Sequence, residues 1–410
     1  MLKFLQKSKL LALVMIVIIT LQSGHALQTV ITGISSLVYI PAAVGVLIVL
    51  VTLHRRVTTK SLLVLFAFVL MLLFTAVAHE GAGSSYYLSM FFMIFAAFAI
   101  SELYSFEKLI KVYLWVMTIT SVIALIGYIA LTILGSLSFL PEMTNQNDVI
   151  YQVGVIYNYI PLVPDRNCGM FWEPGLFATH LAFAFLFEMV TKEKANIFRL
   201  ILFSVCIFTA NSSAGFVLWF LCVLLFFLRK ERKGAYGTIK PVLSFLLVCG
   251  AIAFILNFDT ILMQTSLGEN PYFKKLLAEN VGDSSRSNAV SHNLEIFMTD
   301  PLFGAGYHTV SSNMEYVADT STSTYLMSIF GIFGALYTVF WVYGVATMKR
   351  LNFLSKIVVF VIIMLIVNKE PHHQLLFTWI LLFYFVKLDS LKTPQLKKIE
   401  QELPKEKNEI

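Results

Sequence analysis

Apolar runs separated by short charged punctuation dominate this chain. A helix that crosses a bilayer needs about 20 mostly apolar residues, and reading the runs between charges yields about twelve candidate spans. They lie near 8–22, 33–53, 61–78, 86–101, 109–135, 174–190, 198–210, 213–228, 240–256, 322–346, 356–368 and 372–387. Those at 198–210 and 356–368 are short for a bilayer and call for tilted partners or re-entrant geometry. Two long polar segments, about 135–173 and 257–321, interrupt the rhythm. Loops of that length inside a compact protein are usually functional or disordered. In the second, Leu294, Ile296, Phe297 and Met298 follow Asn288-Ala289-Val290 in a helical pattern. One or two short amphipathic helices on the membrane surface are therefore expected there.

The pattern predicts an all-α polytopic integral membrane protein, with one transmembrane domain over 1–387 and a charged cytoplasmic tail over 388–410. Lys and Arg set its orientation. With both termini inside, five of the 30 basic residues fall on the outer side: Arg166, Lys274, Lys275, Arg286 and Lys369. The opposite orientation inverts that ratio, so both long loops are outer loops. The first segment has a second reading. Lys3, Lys7 and Lys9 precede the apolar run Leu10–Leu21 and the small-residue stretch Gly24-His25-Ala26, as in a signal peptide. An uncleaved first span is preferred, because the next span begins almost at once.

Composition agrees with the pattern. Hydrophobic residues make up 58% of the chain and charged ones 13%, with a mean hydropathy of +0.78. A soluble domain of that balance could not cover its own surface. The net charge of +6 then reflects membrane orientation, and nothing argues for nucleic acid. Of the four cysteines, Cys206, Cys222 and Cys249 fall in spans and Cys168 faces outside, which gives no disulfide framework and no CxxC pair. There is no Walker loop, dinucleotide fingerprint or HExxH pair, so no cofactor or metal is expected.

Candidate chemistry sits in the two loops. Arg166 lies in Arg166-Asn167-Cys168-Gly169, shortly before Glu173-Pro174-Gly175 at the start of a span. Guanidinium is permanently charged and binds phosphate oxygens bidentately, yet Asp165 beside it is an ordinary ion-pair partner. Arg286 in Gly282-Asp283-Ser284-Ser285-Arg286 has the same two readings, with Asp283 as the ordinary partner. Gly169 permits close backbone approach. Glu173 suits the positive end of a helix whose first turn holds Pro174; a carboxylate there could also act as a general base. His308 follows the turn Gly304-Ala305-Gly306 and reads either as an exposed loop residue or as a second base. Lys369-Glu370 reads as a local pair, and the adjacent His372-His373 make a poor chelate. The turn Asn211-Ser212-Ser213-Ala214-Gly215 reads first as small residues that let helices pack closely.

The order of these motifs resembles the O-antigen polymerase and O-antigen ligase superfamily of bacterial polysaccharide enzymes. A long outer loop ends in Arg166-x-x-Gly169 and Glu173-Pro174-Gly175; the Asn211–Gly215 turn follows. The second loop carries Arg286, Pro301-x-x-Gly304-x-Gly306, and Ser323-Thr324-Tyr325-Leu326 leading into Gly331-Ile332-Phe333-Gly334. The resemblance covers roughly residues 100–350.

It implies a multi-pass bacterial inner-membrane glycosyltransferase whose substrate is an oligosaccharide on undecaprenyl diphosphate, with a chain-length regulator as a possible partner. Arg166 and Arg286 would then lie near the diphosphate, together with Gly169, Gly304 and Gly306. Glu173 is the first choice of base and His308 the second. Ligases of the family place a histidine just before the Gly-x-x-Gly span, where this chain has Thr322-Ser323. The resemblance therefore favours a polymerase, with a ligase second. From another class, a flippase for the same lipid-linked sugars would show internal repeats and polar groups at mid-membrane depth.

Overall fold

The structure is a computed structural model, and it describes residues 22–31, 45, 57–145, 147–191, 195–228, 285–312, 318–348 and 351–387. The spans expected near 8–22, 33–53 and 240–256 lie almost wholly outside the described residues, as do 257–284 and the tail 388–410. Within the described residues the protein is mostly helical. After the short α1 (Ala26–Val30) come α2 (Thr59–Ala78), α3 (Ser84–Leu103) and α4 (Phe106–Leu134). Three short strands follow: β1 (Glu142–Thr144), β2 (Ile150–Val153) and β3 (Asn158–Tyr159). The chain continues through α5 (Pro174–Thr191), α6 (Ile197–Ala210), α7 (Ser213–Leu228), α8 (Ser285–Thr299) and α9 (Gly306–Ser312). It ends with α10 (Thr322–Phe330), α11 (Leu336–Ala346), α12 (Phe353–Val367) and α13 (Leu376–Val386).

Among the described residues, five stretches are long and apolar enough to cross a membrane: α2, α3, α4, α5, and α10 with α11 taken together. The shorter α6, α7, α12 and α13 are apolar as well. Two helices are buried nearly throughout, α5 and α13. Both are mostly apolar, which suits the centre of a bundle, although α5 also buries His180 and Glu188. Helix α5 packs against α4, α6, α7 and α12, and α13 against α2, α3 and α11. The two centres meet through aromatic rings. Phe377 lies 6.2 Å from Phe183 and 5.9 Å from His180, and farther along Phe106 touches both Phe187 and Phe385. These pairings make α5 and α13 parallel neighbours, with the start of α13 beside the second turn of α5.

The first long loop differs from the all-helical expectation. It folds as a three-stranded antiparallel sheet in the order β1-β2-β3, with Glu142 opposite Gln152 and Val153 opposite Asn158. Tyr151 and Val153 alternate with more exposed neighbours, a period of two that a helix cannot use. The Asn145 carboxamide accepts from the backbone of Asn147 and Val149, and Asp148 turns at φ 57°. That Asx turn sets the hairpin. The second loop holds two short helices, α8 and α9.

The run 322–346 is not one regular helix. Gly331 breaks it at φ 59°, and residues Gly331–Ala335 form a 3₁₀ turn. The break frees backbone groups that the Pro301–Gly306 loop takes up. Ala305 N–H donates to the Ser328 carbonyl at 2.8 Å, and Ile332 N–H to the Pro301 carbonyl at 2.8 Å. Gly304 and Gly331 touch backbone to backbone: a Cβ on Gly304 would sit 2.4 Å from Gly331 N.

A strap from Gln22 to Ala26 crosses the N-terminal ends of both central helices. Leu376 N–H donates to the Gln22 carbonyl, Trp172 N–H to Gly24, and His180 Nε2 bonds the Ser23 carbonyl. Gly24 has no room for a side chain, because a Cβ would lie 2.1 Å from Leu176 Cδ2.

Candidate functional site

Glu173, Lys369 and Glu370 converge on the N-terminal end of α5. Pro174 needs no N–H partner in that first turn, and the Glu173 carbonyl accepts the first helical bond, from Phe177 N–H at 3.2 Å. Gly175 then leaves room for the charges. The point its Cβ would occupy is 2.7 Å from Glu370 Oε1, 2.9 Å from Glu173 Oε1 and 3.2 Å from Lys369 Nζ. Lys369 Nζ donates to Glu370 Oε1 at 2.6 Å, and both side chains are nearly buried. Glu173 is half-buried. A helix N-terminus carries partial positive charge, so α5, with the parallel α13 starting close by, favours carboxylates here.

Further polar groups extend from Glu370. Thr322 Oγ1 donates to the Glu370 carbonyl at 3.2 Å and accepts from His373 N–H at 3.4 Å. Gln374 Nε2 donates to Asp319 Oδ2 at 3.2 Å. Burial, assisted by the Glu370 charge, pushes the Asp319 carboxyl above the usual carboxylate range. His372 and His373 occupy a 3₁₀ turn before α13 and are both buried. His372 Nδ1 bonds Thr378 Oγ1 at 2.9 Å, and the His373 ring lies 4.8 Å from Tyr325. His180 is also buried, held by Ser23 and by Tyr113, whose hydroxyl is 3.1 Å from Nδ1.

The arrangement unites some of the sequence candidates and separates others. Arg166 Nε donates to the Ala210 carbonyl at 3.4 Å, at the end of α6. Arg166 and Glu173 both act electrostatically on the Cys168 thiol, so the two lie at one end of the bundle. That thiol, expected to face outside, is buried, and burial pushes it up to about 12. Gly169 turns at φ 58° against the Phe177 ring, and its carbonyl accepts from Asn158 N–H. Arg286 lies in the first turn of α8, a helix packed on α10 through Asn293 and Thr324.

His308 makes no hydrogen bond with Glu173 among the described residues. It is exposed on α9 with its backbone beside Gly83, and its ring makes no hydrogen bond among the described residues. Gly304 and Gly306 are consumed by packing: His79 Nε2 bonds the Gly304 carbonyl at 2.9 Å, and the His79 ring fills the space a Gly306 Cβ would need. At the Asn211 turn, Gly215 packs on Ala178, the close approach expected of small residues. Lys369 and Glu370 form the local pair that their adjacency suggests. Their meeting with Glu173 had one sequence signal, ionisable residues at the end of an apolar run. Asp319 had no comparable signal.

Among the described residues no group of three or more His, Cys, Asp and Glu side chains could hold a metal ion. Chemically the site offers a half-exposed carboxylate, a buried carboxylate neutralised by an ammonium, and an arginine at the same end of the bundle.

Fold and site together define a polytopic helical membrane protein with a charged cluster at one end of its two central helices. No protein-family model matches the chain, and comparison with curated proteins and with solved structures finds no match either.

Proposed function

We propose that this protein is a bacterial inner-membrane glycosyltransferase, a polymerase that moves a growing glycan from undecaprenyl diphosphate to a lipid-linked repeat unit on the extracytoplasmic face. The observation that carries the reading is the meeting of Glu173, Lys369 and Glu370 around Gly175, with Arg166 at the same end. The reaction needs a base and a means of stabilising a departing diphosphate. Glu173 is the more exposed carboxylate and takes the proton of the acceptor hydroxyl. The hydroxyl oxygen then bonds the anomeric carbon, and the carbon–oxygen bond to the diphosphate breaks with its electron pair leaving on the phosphate. Arg166, and Arg286 from α8, neutralise that charge. Lys369 and Glu370 hold Glu173's surroundings fixed.

A gel profile of surface polysaccharide from a deletion strain tests this, with complementation by wild type, Glu173→Gln or Arg166→Ala. Single repeat units in the deletion, with long chains restored by wild type alone, support the polymerase. Long chains stranded on the lipid carrier identify a ligase instead. Loss of all exported repeat units identifies a transporter, and full rescue by both variants removes the mechanism.

A further inference from the structure

The hairpin tip between β2 and β3 exposes large apolar side chains where a water-facing loop would be polar. Val155 is 76% exposed and Ile156 54%, and in the same loop Phe139 and Leu162 reach 77% and 86%. Ile126, Ile129 and Ile133 form an exposed flank of α4, the helix on which this loop packs. The loop packs beside α4 on the face that carries Ala124, Gly127 and Tyr128. The Tyr157 ring fills the space beside Gly127, at 2.7 Å from a Cβ there. Tyr128 Oη donates to the Asp165 carbonyl, and Asn167 Nδ2 to the Ala124 carbonyl.

Helix length sets the depth of these contacts. The 29 residues of α4 span about 43 Å at about 1.5 Å per residue, more than a hydrocarbon core of about 30 Å. Lys108 and Lys111 mark one end of the apolar run. Gly127 is then about 24 Å beyond Lys111 at the same rise, short of the far boundary, and any tilt lowers it further.

Part of the backbone at the tip is satisfied internally. Polar backbone groups in lipid must be satisfied internally. Gly154 N–H donates to both the Tyr157 carbonyl at 3.0 Å and Asn158 Oδ1 at 2.8 Å. The Val155 carbonyl accepts from His25 Nε2 at 2.8 Å. His25 Nδ1 accepts from Leu27 N–H, which fixes the proton on Nε2. A histidine from a distant segment thus caps a carbonyl beside the two exposed side chains.

We infer that the Gly154–Tyr157 tip is inserted among the acyl chains of the leaflet on its side of the membrane, with Val155 and Ile156 as its lipid-facing wedge. Nitroxide labels test this on the full protein in vesicles of phosphatidylethanolamine and phosphatidylglycerol. Labels go on Val155→Cys and, separately, Ile156→Cys, with Ile126→Cys as an in-membrane reference and Asn147→Cys, in the turn at the other end of β2, as an aqueous one. Unsubstituted protein treated alike supplies the background from native thiols. The expected ratio of oxygen to nickel-chelate collisions at 155 and 156 approaches that at 126 and exceeds that at 147 severalfold. A ratio matching 147 overturns the inference by placing the tip in water. Shielding from both agents also overturns it, since a second copy of the chain would then cover the tip.

Discussion

The carboxylates of Glu173 and Glu370, far apart in the chain, meet across the one position in α5 that carries no side chain. Both approach the space above Gly175 to within 3 Å, and Lys369 lies beside them. The two carboxylates differ in burial, so removing each has a different effect. Glu370→Gln leaves the Lys369 ammonium buried without its partner, at a cost of about 3 kcal/mol. Lys369→Met should cost a similar amount, and the double variant much less than the sum. Glu173→Gln should leave thermal stability in detergent within about 1 kcal/mol of wild type while abolishing long-chain polysaccharide. Melting curves paired with polysaccharide gels separate the two effects.

Gly304 is a stability position. Its φ of 72° is left-handed, and a Cβ would meet Gly331 N and the Ile329 carbonyl group at 2.4 Å. Strain and overlap together put Gly304→Ala at about 3 kcal/mol or more. Gly331→Ala should behave alike, because its Cβ would meet Leu302 O at 2.4 Å. Gly135 also has positive φ, at 73°, but opens onto empty space, so Gly135→Ala should cost about 1 kcal/mol. Thermal melts of the three variants check the order. A Gly304→Ala protein of normal stability that fails to bind substrate would instead revive a ligand-contacting role.

The helices were legible because charge marks their ends. The run 213–228 reappears unchanged as α7, and Asn211 at φ 48° closes α6 where the small polar residues stand. The sheet in the first loop was harder to see. Its strands are two to four residues long, and their alternation is masked by the apolar tip at Val155-Ile156. The break at Gly331 was visible only as a glycine inside an apolar run; what makes it a break is the Pro301–Gly306 loop docking into it. Of the site, Glu173 and Arg166 could be read from loop position and charge. Lys369, Glu370 and Asp319 depend on α5 and α13 standing parallel, a tertiary relationship that local pattern does not encode.

Acid should weaken the protein through His25. Burial outweighs the bond to the Val155 carbonyl and holds the imidazole below its ordinary 6.5. The unfolded chain therefore binds more protons than the folded one below 6.5. Stability is at its full value above 6.5 and falls as pH drops through 6.5 towards the folded value. His25→Gln removes the titration, so its melting temperature should fall less than that of wild type between about pH 7 and about pH 5. Equal slopes in the two proteins would mean that His25 titrates freely and does not hold the tip.

Cys168 tests whether the loop stays closed over the site. The sequence places it in the outer loop, and within that loop it is fully buried between α1 and β2. Burial pushes the thiol up to about 12, against a partly opposing pull from Arg166. Only the thiolate reacts with a maleimide, so at neutral pH Cys168 should remain unmodified in the native protein and react once it is denatured. Peptide mapping of maleimide adducts before and after denaturation gives the answer directly. Arg166→Ala removes the pull towards the thiolate and should leave the native thiol still less reactive. Rapid native modification would show instead that the Arg166–Glu173 segment opens on the labelling timescale, and that the cluster around Gly175 is assembled only part of the time.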